Sequence, residues 1–365
     1  MIALAAALVV LIPQDPPAPP SQPKIDAAVE RGARYLLTEL AKGLRDDRRP
    51  KNEEQGLEEL VLYAISHAGL DLSRESGHAA ALERILSKEL RWTYGTSLTA
   101  LALESIDKTK HMWRIAQCGQ FLVDNQCVNG QWSYGKPVKM PSNIPAGPTK
   151  DSGGSTRTVA SIKIARQGKG PPNGDNSNSQ YAILGIRACA GAGVQIPDDV
   201  VKGALAWWER AQNKDGGWGY AADGEASDPS HGSMTAGGLA SVIICRHMLK
   251  LDTQKHGSIK KGFDWMGSNF NIKENPGYHK PYQWHHYWLY AIERAGILGG
   301  TEKMGPHAWY AEGAHHLLGS QLTDGSWHSC TDKFESIGGP AADTAFAILF
   351  LRRATKPLPK VITGK

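Results

Sequence analysis

The chain has 365 residues, 41% of them hydrophobic, and 41 lysine and arginine residues against 36 aspartate and glutamate residues give a net charge of +5. Eleven tryptophans and this length allow one large hydrophobic core, whereas a mean hydropathy of −0.37 excludes an integral membrane protein with many spans. Five cysteines, an odd number without a Cys-x-x-Cys pair, exclude a disulfide framework.

The N-terminus is an apolar run over residues 1–12, followed by a proline-rich stretch over residues 13–24. The run is too short to span a bilayer comfortably and resembles the hydrophobic region of a secretory signal, although the sequence has no basic residues before it and no Ala-x-Ala cleavage site. We therefore predict a signal segment over residues 1–12, a linker over residues 13–24, and export to the periplasm or cell envelope. If the segment is not a signal, the prediction is a cytoplasmic protein.

Apolar residues at helical spacing then predict six pairs of helices in one domain over residues 25–355, with a C-terminal tail over residues 356–365. The predicted pairs are 25–40 with 57–68, 79–90 with 97–106, 113–126 with 179–190, 198–212 with 234–249, 258–269 with 286–297, and 309–321 with 344–353. The second helix of each pair is the more apolar, which is typical of a buried helix. We therefore expect an all-α (α/α)6 barrel, with the first helices outside and the second helices inside.

Three segments repeat the pattern Gln-x-x-(Asn/Asp)-Gly-x-Trp at the end of a predicted outer helix. They begin and end at Gln126 and Trp132, at Gln212 and Trp218, and at Gln321 and Trp327. An Asn/Asp-Gly pair stops a helix, the tryptophan can cover apolar surface, and the glutamine can bond to unpaired backbone groups at helix ends. We interpret each segment as a structural clasp between helices. A degenerate fourth copy over residues 265–269 places Asn269 in the position of the glutamine.

These segments resemble the QW repeat of the squalene cyclase and protein prenyltransferase superfamily, and the resemblance covers residues 25–355. It implies an α/α toroid of paired helices around a central cavity. The chain is also similar to bacterial proteins described as prenyltransferase or squalene-oxidase repeat proteins. A shared fold does not establish a shared activity, because one fold supports many functions.

The catalytic acid of the related cyclases has no counterpart in this sequence. Those enzymes protonate an alkene with the middle residue of Asp-x-Asp-Asp, and the nearest segment here, Asp175-Asn176-Ser177-Asn178, keeps only the first aspartate. A serine hydroxyl in the middle position is too weak an acid for that step. Asp175 and Asp343 remain as candidate catalytic carboxylates, but we expect both to be ionised caps at the starts of inner helices.

Zinc and thioester chemistry are not indicated either. Protein prenyltransferases hold zinc with Asp, Cys and His, and the nearest grouping here, His328-Ser329-Cys330-Thr331-Asp332, offers too few converging ligands. The thioester sequence Cys-Gly-Glu-Gln of complement-type toroids is not matched by Cys118-Gly119-Gln120-Phe121. We therefore predict no metal and no cofactor.

An aromatic group at the start of one inner helix, from Trp284 to Tyr290, is the strongest candidate for a ligand site. Such a wall with few polar groups suits an isoprenoid or another apolar ligand, and the alternative is that the residues simply fill the barrel. The candidate cavity residues are Tyr181, His286, Tyr287, Trp288 and Tyr290. We expect His286 and Tyr290 to share one helix face and Tyr287 to lie on another.

The sequence leaves three functions open. The first is a toroid that binds an apolar molecule or a protein partner without cyclase activity. The second is a terpenoid-processing enzyme that uses Asp175, Asp343 or His286, and the third is a structural envelope protein. Seven basic residues against one acidic residue over residues 136–174 are compatible with peripheral membrane contact, but the stretch lacks the aromatic residues of a nucleic-acid binder, so we predict no nucleic acid partner.

Overall fold

The computed structural model describes residues 17–44, 56–148, 161–223, 226–253, 256–280, 283–328 and 339–359. In these residues the helices are α1 (Gln22–Lys42), α2 (Leu57–Ser66), α3 (Ser76–Ser87), α4 (Thr93–Asp107), α5 (Met112–Asp124), α6 (Asn176–Ala192), α7 (Asp198–Arg210), α8 (Gly232–Met248), α9 (Gly257–Ser268), α10 (His285–Gly299), α11 (Trp309–Ser320) and α12 (Gly339–Leu351). Strand β1 (Ile162–Lys163) pairs parallel with β2 (Val194–Gln195), and β3 (Ala222–Asp223) pairs antiparallel with β4 (Ala226–Ser227). The predicted signal segment lies outside the described residues.

The even-numbered helices form a closed inner ring. Helix α2 packs on α4, α4 on α6, α6 on α8, α8 on α10, α10 on α12, and α12 returns to α2. The odd-numbered helices lie outside this ring, and α1 packs on both α2 and α12, so the two ends of the chain meet. The predicted all-α (α/α)6 toroid is confirmed.

Residue patterns explain which helices lie inside. Every residue of α12 from Ala341 to Leu351 is buried, as expected for a helix that is apolar on all sides. Helix α7 instead buries Val200, Ala204 and Trp208 on one face and exposes Lys202 on the other. The width of the apolar face that a helix buries in the shared core, rather than its helix propensity, therefore determines whether it lies in the inner or the outer ring.

Each clasp glutamine joins its own turn to the next helix of the outer ring. The side-chain amide of Gln126 donates to the carbonyls of Gly130 and Val200 (3.2 and 2.9 Å), that of Gln212 to Gly216 and Ser258 (2.8 and 2.9 Å), and that of Gln321 to Gly325 and Ala28 (2.9 and 2.8 Å). The bridges thus run from α5 to α7, from α7 to α9, and from α11 to α1. The last bridge joins the two ends of the chain and closes the outer ring.

Each clasp tryptophan is fully buried and fixes an inner helix to an outer one. The indole N–H donates to a carbonyl ten residues earlier, at Leu122, Trp208 and Leu317 (2.7, 2.9 and 2.8 Å), and the backbone N–H donates to the hydroxyl of Ser179, Thr235 and Thr344 (2.9, 3.1 and 3.0 Å). The glycine of each clasp has a φ between 91° and 97°, a left-handed conformation that favours glycine.

The degenerate fourth copy differs from the prediction by one residue. The side chain of Asn269 donates to the carbonyl of Trp265 (2.9 Å), as that of Asn125 donates to Phe121 (3.0 Å). Asn269 therefore corresponds to Asn125, the residue directly before the clasp glutamine. The residue that corresponds to the glutamine itself is Phe270. The ring of Phe270 stacks on His307 just before α11, with centroids 4.5 Å apart, so an aromatic contact replaces the glutamine bridge.

Part of the basic stretch over residues 136–174 belongs to the fold. Arg166 donates to the side-chain oxygen of Gln126 (2.6 Å) and to the carbonyl of Val123 (3.2 Å), and its Nε lies 3.1 Å from Asp199. This arginine therefore supports the first clasp. Within the described residues, no helix combines the length and the apolar character that crossing a membrane requires.

Candidate ligand site at the mouth of the ring

Three hydroxyl groups from three inner helices meet at the end of the ring where those helices begin. They belong to Tyr94 of α4, Ser177 of α6 and Tyr287 of α10. The Tyr287 oxygen lies 3.1 Å from that of Tyr94 and 3.2 Å from that of Ser177, and the Tyr94 and Ser177 hydroxyls are hydrogen-bonded to each other. We name this group the hydroxyl triangle. Its three O–H groups can complete the three bonds among themselves or turn outward to a ligand.

A buried arginine lies below the hydroxyl triangle. Arg294 of α10 donates to the side-chain oxygen of Gln180 (2.8 Å), and the amide nitrogen of Gln180 donates to the Tyr287 hydroxyl (2.7 Å). The Arg294 guanidinium also lies over the ring of Tyr290, 4.3 Å from its centroid, and over Tyr181 at 5.5 Å. A cation thus already occupies aromatic faces at the centre of the ring.

Further aromatic residues surround the hydroxyl triangle. Tyr134 and Tyr220 are 49% and 42% exposed, and their backbone carbonyls accept bonds from the first residues of α4 and α6. Trp284 precedes α10 and packs edge-on against Tyr287, with centroids 6.1 Å apart. Its φ of 62° is unfavourable for a tryptophan, and such backbone strain is concentrated at functional sites. These three residues and the hydroxyl triangle form what we name the mouth.

The two tyrosines of the hydroxyl triangle are neutral. Burial raises the pKa of Tyr94 well above its usual value, and burial likewise raises the pKa of Tyr287. A neutral phenol can donate and accept hydrogen bonds but cannot remove the proton of Ser177, so neither tyrosine can activate this serine as a nucleophile. The triangle is therefore suited to recognising a polar group.

Asp175 is the N-cap of α6. One carboxylate oxygen accepts from the backbone N–H of Asn178 (2.7 Å) and the other from the Asn178 side chain (2.8 Å). Burial raises the pKa of Asp175, and this effect outweighs the two hydrogen bonds, which lower it. The expected capping role is confirmed, and burial opposes the ionised form that capping favours. Its catalytic role stays a prediction.

Asp343 is not a helix cap, contrary to expectation. It is the fifth residue of α12, and its carboxylate faces His328 Nδ1 at 3.1 Å and His286 Nδ1 at 3.5 Å. Burial would raise the pKa of Asp343, but His286 and His328 together outweigh it and hold the pKa below its usual value. Asp343 is thus an ionised partner of two histidines. A role in catalysis has no further support.

The predicted cavity residues fall into two groups. Tyr287 and Tyr290 both contact Phe346, with ring centroids 5.7 and 5.8 Å apart, so they share the inward face of α10, and Tyr181 joins them by stacking on Tyr287. The expectation that Tyr287 lies on another face than Tyr290 is therefore wrong, while His286 contacts Asp343 of α12, the helix that also holds Phe346.

Trp288 points away from this cluster, and its indole donates to the carbonyl of Asn271 (2.8 Å). Tyr181, Trp288 and Tyr290 have almost no accessible surface. A ligand role for the predicted cavity residues stays a prediction. The part of the cluster that approaches solvent is the hydroxyl triangle, of which Tyr94 and Ser177 are half-buried.

Sequence reasoning missed several residues of the mouth. Tyr134 and Tyr220 each lie two residues after a clasp tryptophan, so the repeat itself carried a signal for them. Gln180 and Arg294 gave no signal, because they are 114 residues apart and meet only when the ring closes. In the described residues no group of three or more His, Cys, Asp or Glu could hold a metal ion, and residues 329–332 of the grouping after His328 lie outside them.

No family model matches this sequence. No curated protein matches it either. Solved structures match the fold at low identity. A type II terpene cyclase, MstE from Scytonema, is 11% identical with a TM-score of 0.51 and covers 91% of this chain and 99% of its own. A possible member of the GH105 family from Salmonella enterica serovar Paratyphi A is 10% identical with a TM-score of 0.55 and covers 96% and 98%. These likenesses show a terpenoid-cyclase-like toroid fold.

Proposed function

We propose that this protein is a binding toroid without cyclase activity, and that its mouth takes an apolar, isoprenoid-like molecule with a polar head group. The observation that carries the proposal is Arg294, which lies against Tyr181 and Tyr290 at the centre of the ring. Aromatic faces that stabilise a carbocation must be free to meet it. Here those faces are already used by a guanidinium, so the ligand meets the ring at its mouth.

The mouth has the two kinds of group that such a ligand needs. Trp284, Tyr134 and Tyr220 offer partly exposed aromatic surface, which favours contact with apolar groups. The hydroxyl triangle offers neutral hydrogen-bonding groups for a phenol, hydroxyl or carbonyl. A variant of MstE was solved with its substrate geranylgeranyl dihydroxybenzoate, a molecule of this amphiphilic kind, and this supports the choice of ligand class.

The first test is to identify what the protein carries. We expect organic extraction of the purified protein, followed by mass spectrometry, to recover an isoprenoid-type molecule in near-stoichiometric amount. Calorimetric titration of the recovered molecule should then show about tenfold weaker binding to Ser177→Ala and Trp284→Ala, since one hydrogen bond or one aromatic contact contributes about 1.4 kcal/mol.

Ser87→Ala, on the exposed outer helix α3, is the matched control and should bind like the wild-type protein. Equal affinity of all four proteins would remove the mouth from the proposal. Recovery of no small molecule, together with co-purification of one protein in equal amount, would favour the protein-partner alternative.

The second test addresses chemistry. We expect no polycyclic product after incubation with squalene and gas chromatography of the extract, because the ionised Asp343 cannot protonate an alkene and both oxygens of Asp175 already accept hydrogen bonds. The raised pKa of Asp175 is the one observation that favours a cyclase as the second candidate. Polycyclic product that disappears in Asp175→Asn would establish that candidate instead.

A further inference from the structure

A short basic segment crosses the end of the ring opposite to the mouth. It consists of residues 352–356, Arg-Arg-Ala-Thr-Lys, and follows directly from α12. The chain turns at Arg353, whose φ of 47° is left-handed, and the N–H groups of Arg353 and Ala354 bond to the carbonyls of Phe350 and Leu349. Glycine is usual at such a helix end. We name residues 352–356 the strap. The surface beneath the strap is named the floor.

Each polar residue of the strap meets a carboxylate from a different part of the fold. Arg352 pairs with Asp26 of α1, Arg353 with Glu302 after α10 (3.0 Å), the N–H and hydroxyl of Thr355 with Glu293 of α10 (2.9 and 2.6 Å), and Lys356 with Glu104 of α4 (3.5 Å). Asp26, Glu104 and the two acids Glu293 and Glu302 come from distant parts of the sequence and converge only in the closed ring.

The floor also provides a buried seat for the strap. The Arg353 guanidinium lies 3.8 Å from the centroid of the Tyr310 ring, and Ala354 and Thr355 are buried. Glu293 and Glu104 are buried as well, so their contacts are not ordinary surface ion pairs, which contribute little. Within the described residues, the buried Arg187 beside Glu104 keeps its Nε without a hydrogen-bond partner. The floor therefore has the acids, the aromatic face and the depth of a peptide-binding site.

We propose that the floor is a recognition site for an extended basic segment of the pattern Arg-Arg-x-Thr-Lys, and that the strap is a ligand bound in cis which the basic segment of a partner protein replaces. Side chains make most of the strap's contacts, and among the residues that the structure describes its one backbone bond to the floor is that of the Thr355 N–H. A separate chain with the same side chains can make the same contacts. The covalent link gives the strap a high effective concentration, so exchange requires that the strap be weakened or the partner be abundant.

The experiment uses the full chain with the double substitution Arg353→Ala and Thr355→Val, which removes the aromatic contact, the ion pair with Glu302 and one bond to Glu293. The probe is a fluorescent peptide with the sequence of residues 351–359. We expect the peptide to bind the double variant at least tenfold more tightly than it binds the wild-type protein, and to raise the melting temperature of the variant. A peptide with the same two substitutions should do neither. Adding Glu293→Gln to the variant should weaken binding of the original peptide about tenfold.

Hydrogen exchange at residues 352–356 is measured in parallel, and faster exchange in the variant is expected. Equal peptide binding by the wild-type protein and the variant would show only attraction between charges and would overturn the proposal. Absence of peptide binding would overturn it too, whether exchange becomes faster or stays slow. If the double variant does not fold, Lys356→Ala takes its place, because its side chain is about half exposed and its loss weakens the strap at Glu104 while the bonds to Glu293 stay.

Discussion

Replacing Trp327 by alanine is expected to lower the free energy of unfolding by about 3 to 5 kcal/mol, the range typical of a large buried aromatic side chain. Trp327 is fully buried, and its indole and backbone N–H groups donate to Leu317 and Thr344. It also packs closely on α1, where a Cβ atom added at Gly32 would lie 2.6 Å from the indole. One side chain therefore holds α11, α12 and α1 together.

Urea unfolding followed by circular dichroism measures this effect, and Trp218→Ala should behave alike because its clasp makes the same bonds. Leu322→Ala is the matched control, since this residue of the same clasp is exposed and should change stability by less than about 0.5 kcal/mol. Ligand affinity of the folded fraction should not change in any of these proteins. Unchanged unfolding of both tryptophan variants would mean that the clasps do not hold the ring.

The fold could be predicted because its information is local and repeated. A pattern of seven positions occurs three times. Between the repeats, apolar residues occur at the spacing of helices that are buried on one side or on all sides. The six predicted pairs correspond to the observed ones, although the start of α12 was placed five residues too late. The sequence predicts Asp343 as its cap, whereas Pro340, at the second position of the helix, is the residue type that marks a helix start.

The candidate site could be predicted only in part, because its residues meet through ring closure. Tyr181, Tyr287 and Tyr290 were identified from their aromatic character, and the structure brings them together. The inward face of α10 could not be chosen from sequence, since i,i+3 and i,i+4 neighbours both lie close on a helix. The strap could not be predicted for the same reason, because its partners Glu104 and Glu293 are 252 and 62 residues away. The sequence assigns residues 352–353 to the last helix and only residue 356 to the tail.

Glu293 is expected to make the free energy of unfolding depend on pH. It is completely buried beneath the strap, and burial raises the pKa of its carboxyl group from 4.5 to about 7, although the bonds from Thr355 oppose this shift. In the unfolded chain the group ionises near 4.5. Between these two values the folded protein binds more protons than the unfolded one, so the free energy of unfolding falls as the pH rises and is level above about 7.

Two buried histidines act in the opposite direction over part of this range. Burial lowers the pKa of His231 to about 4 and that of His285 to about 3, so both add stability as the pH rises toward 6.5, where unfolded histidine loses its proton. The whole stability curve therefore combines both effects. The difference between a Glu293 variant and the wild-type protein removes the histidine contribution, because that contribution is common to both.

We expect Glu293→Gln to gain stability relative to the wild-type protein by about 3 kcal/mol between pH 5 and pH 8, since each pKa unit corresponds to about 1.36 kcal/mol. The free energies of unfolding in urea at several pH values measure this difference. Glu302→Gln is the matched control, because Glu302 is exposed and also contacts the strap, and losing an exposed ion pair should change the free energy of unfolding by less than about 1 kcal/mol. Parallel curves for Glu293→Gln and the wild-type protein would mean that Glu293 is already ionised in the folded state, with Arg294 and Arg353 compensating its charge beneath the strap.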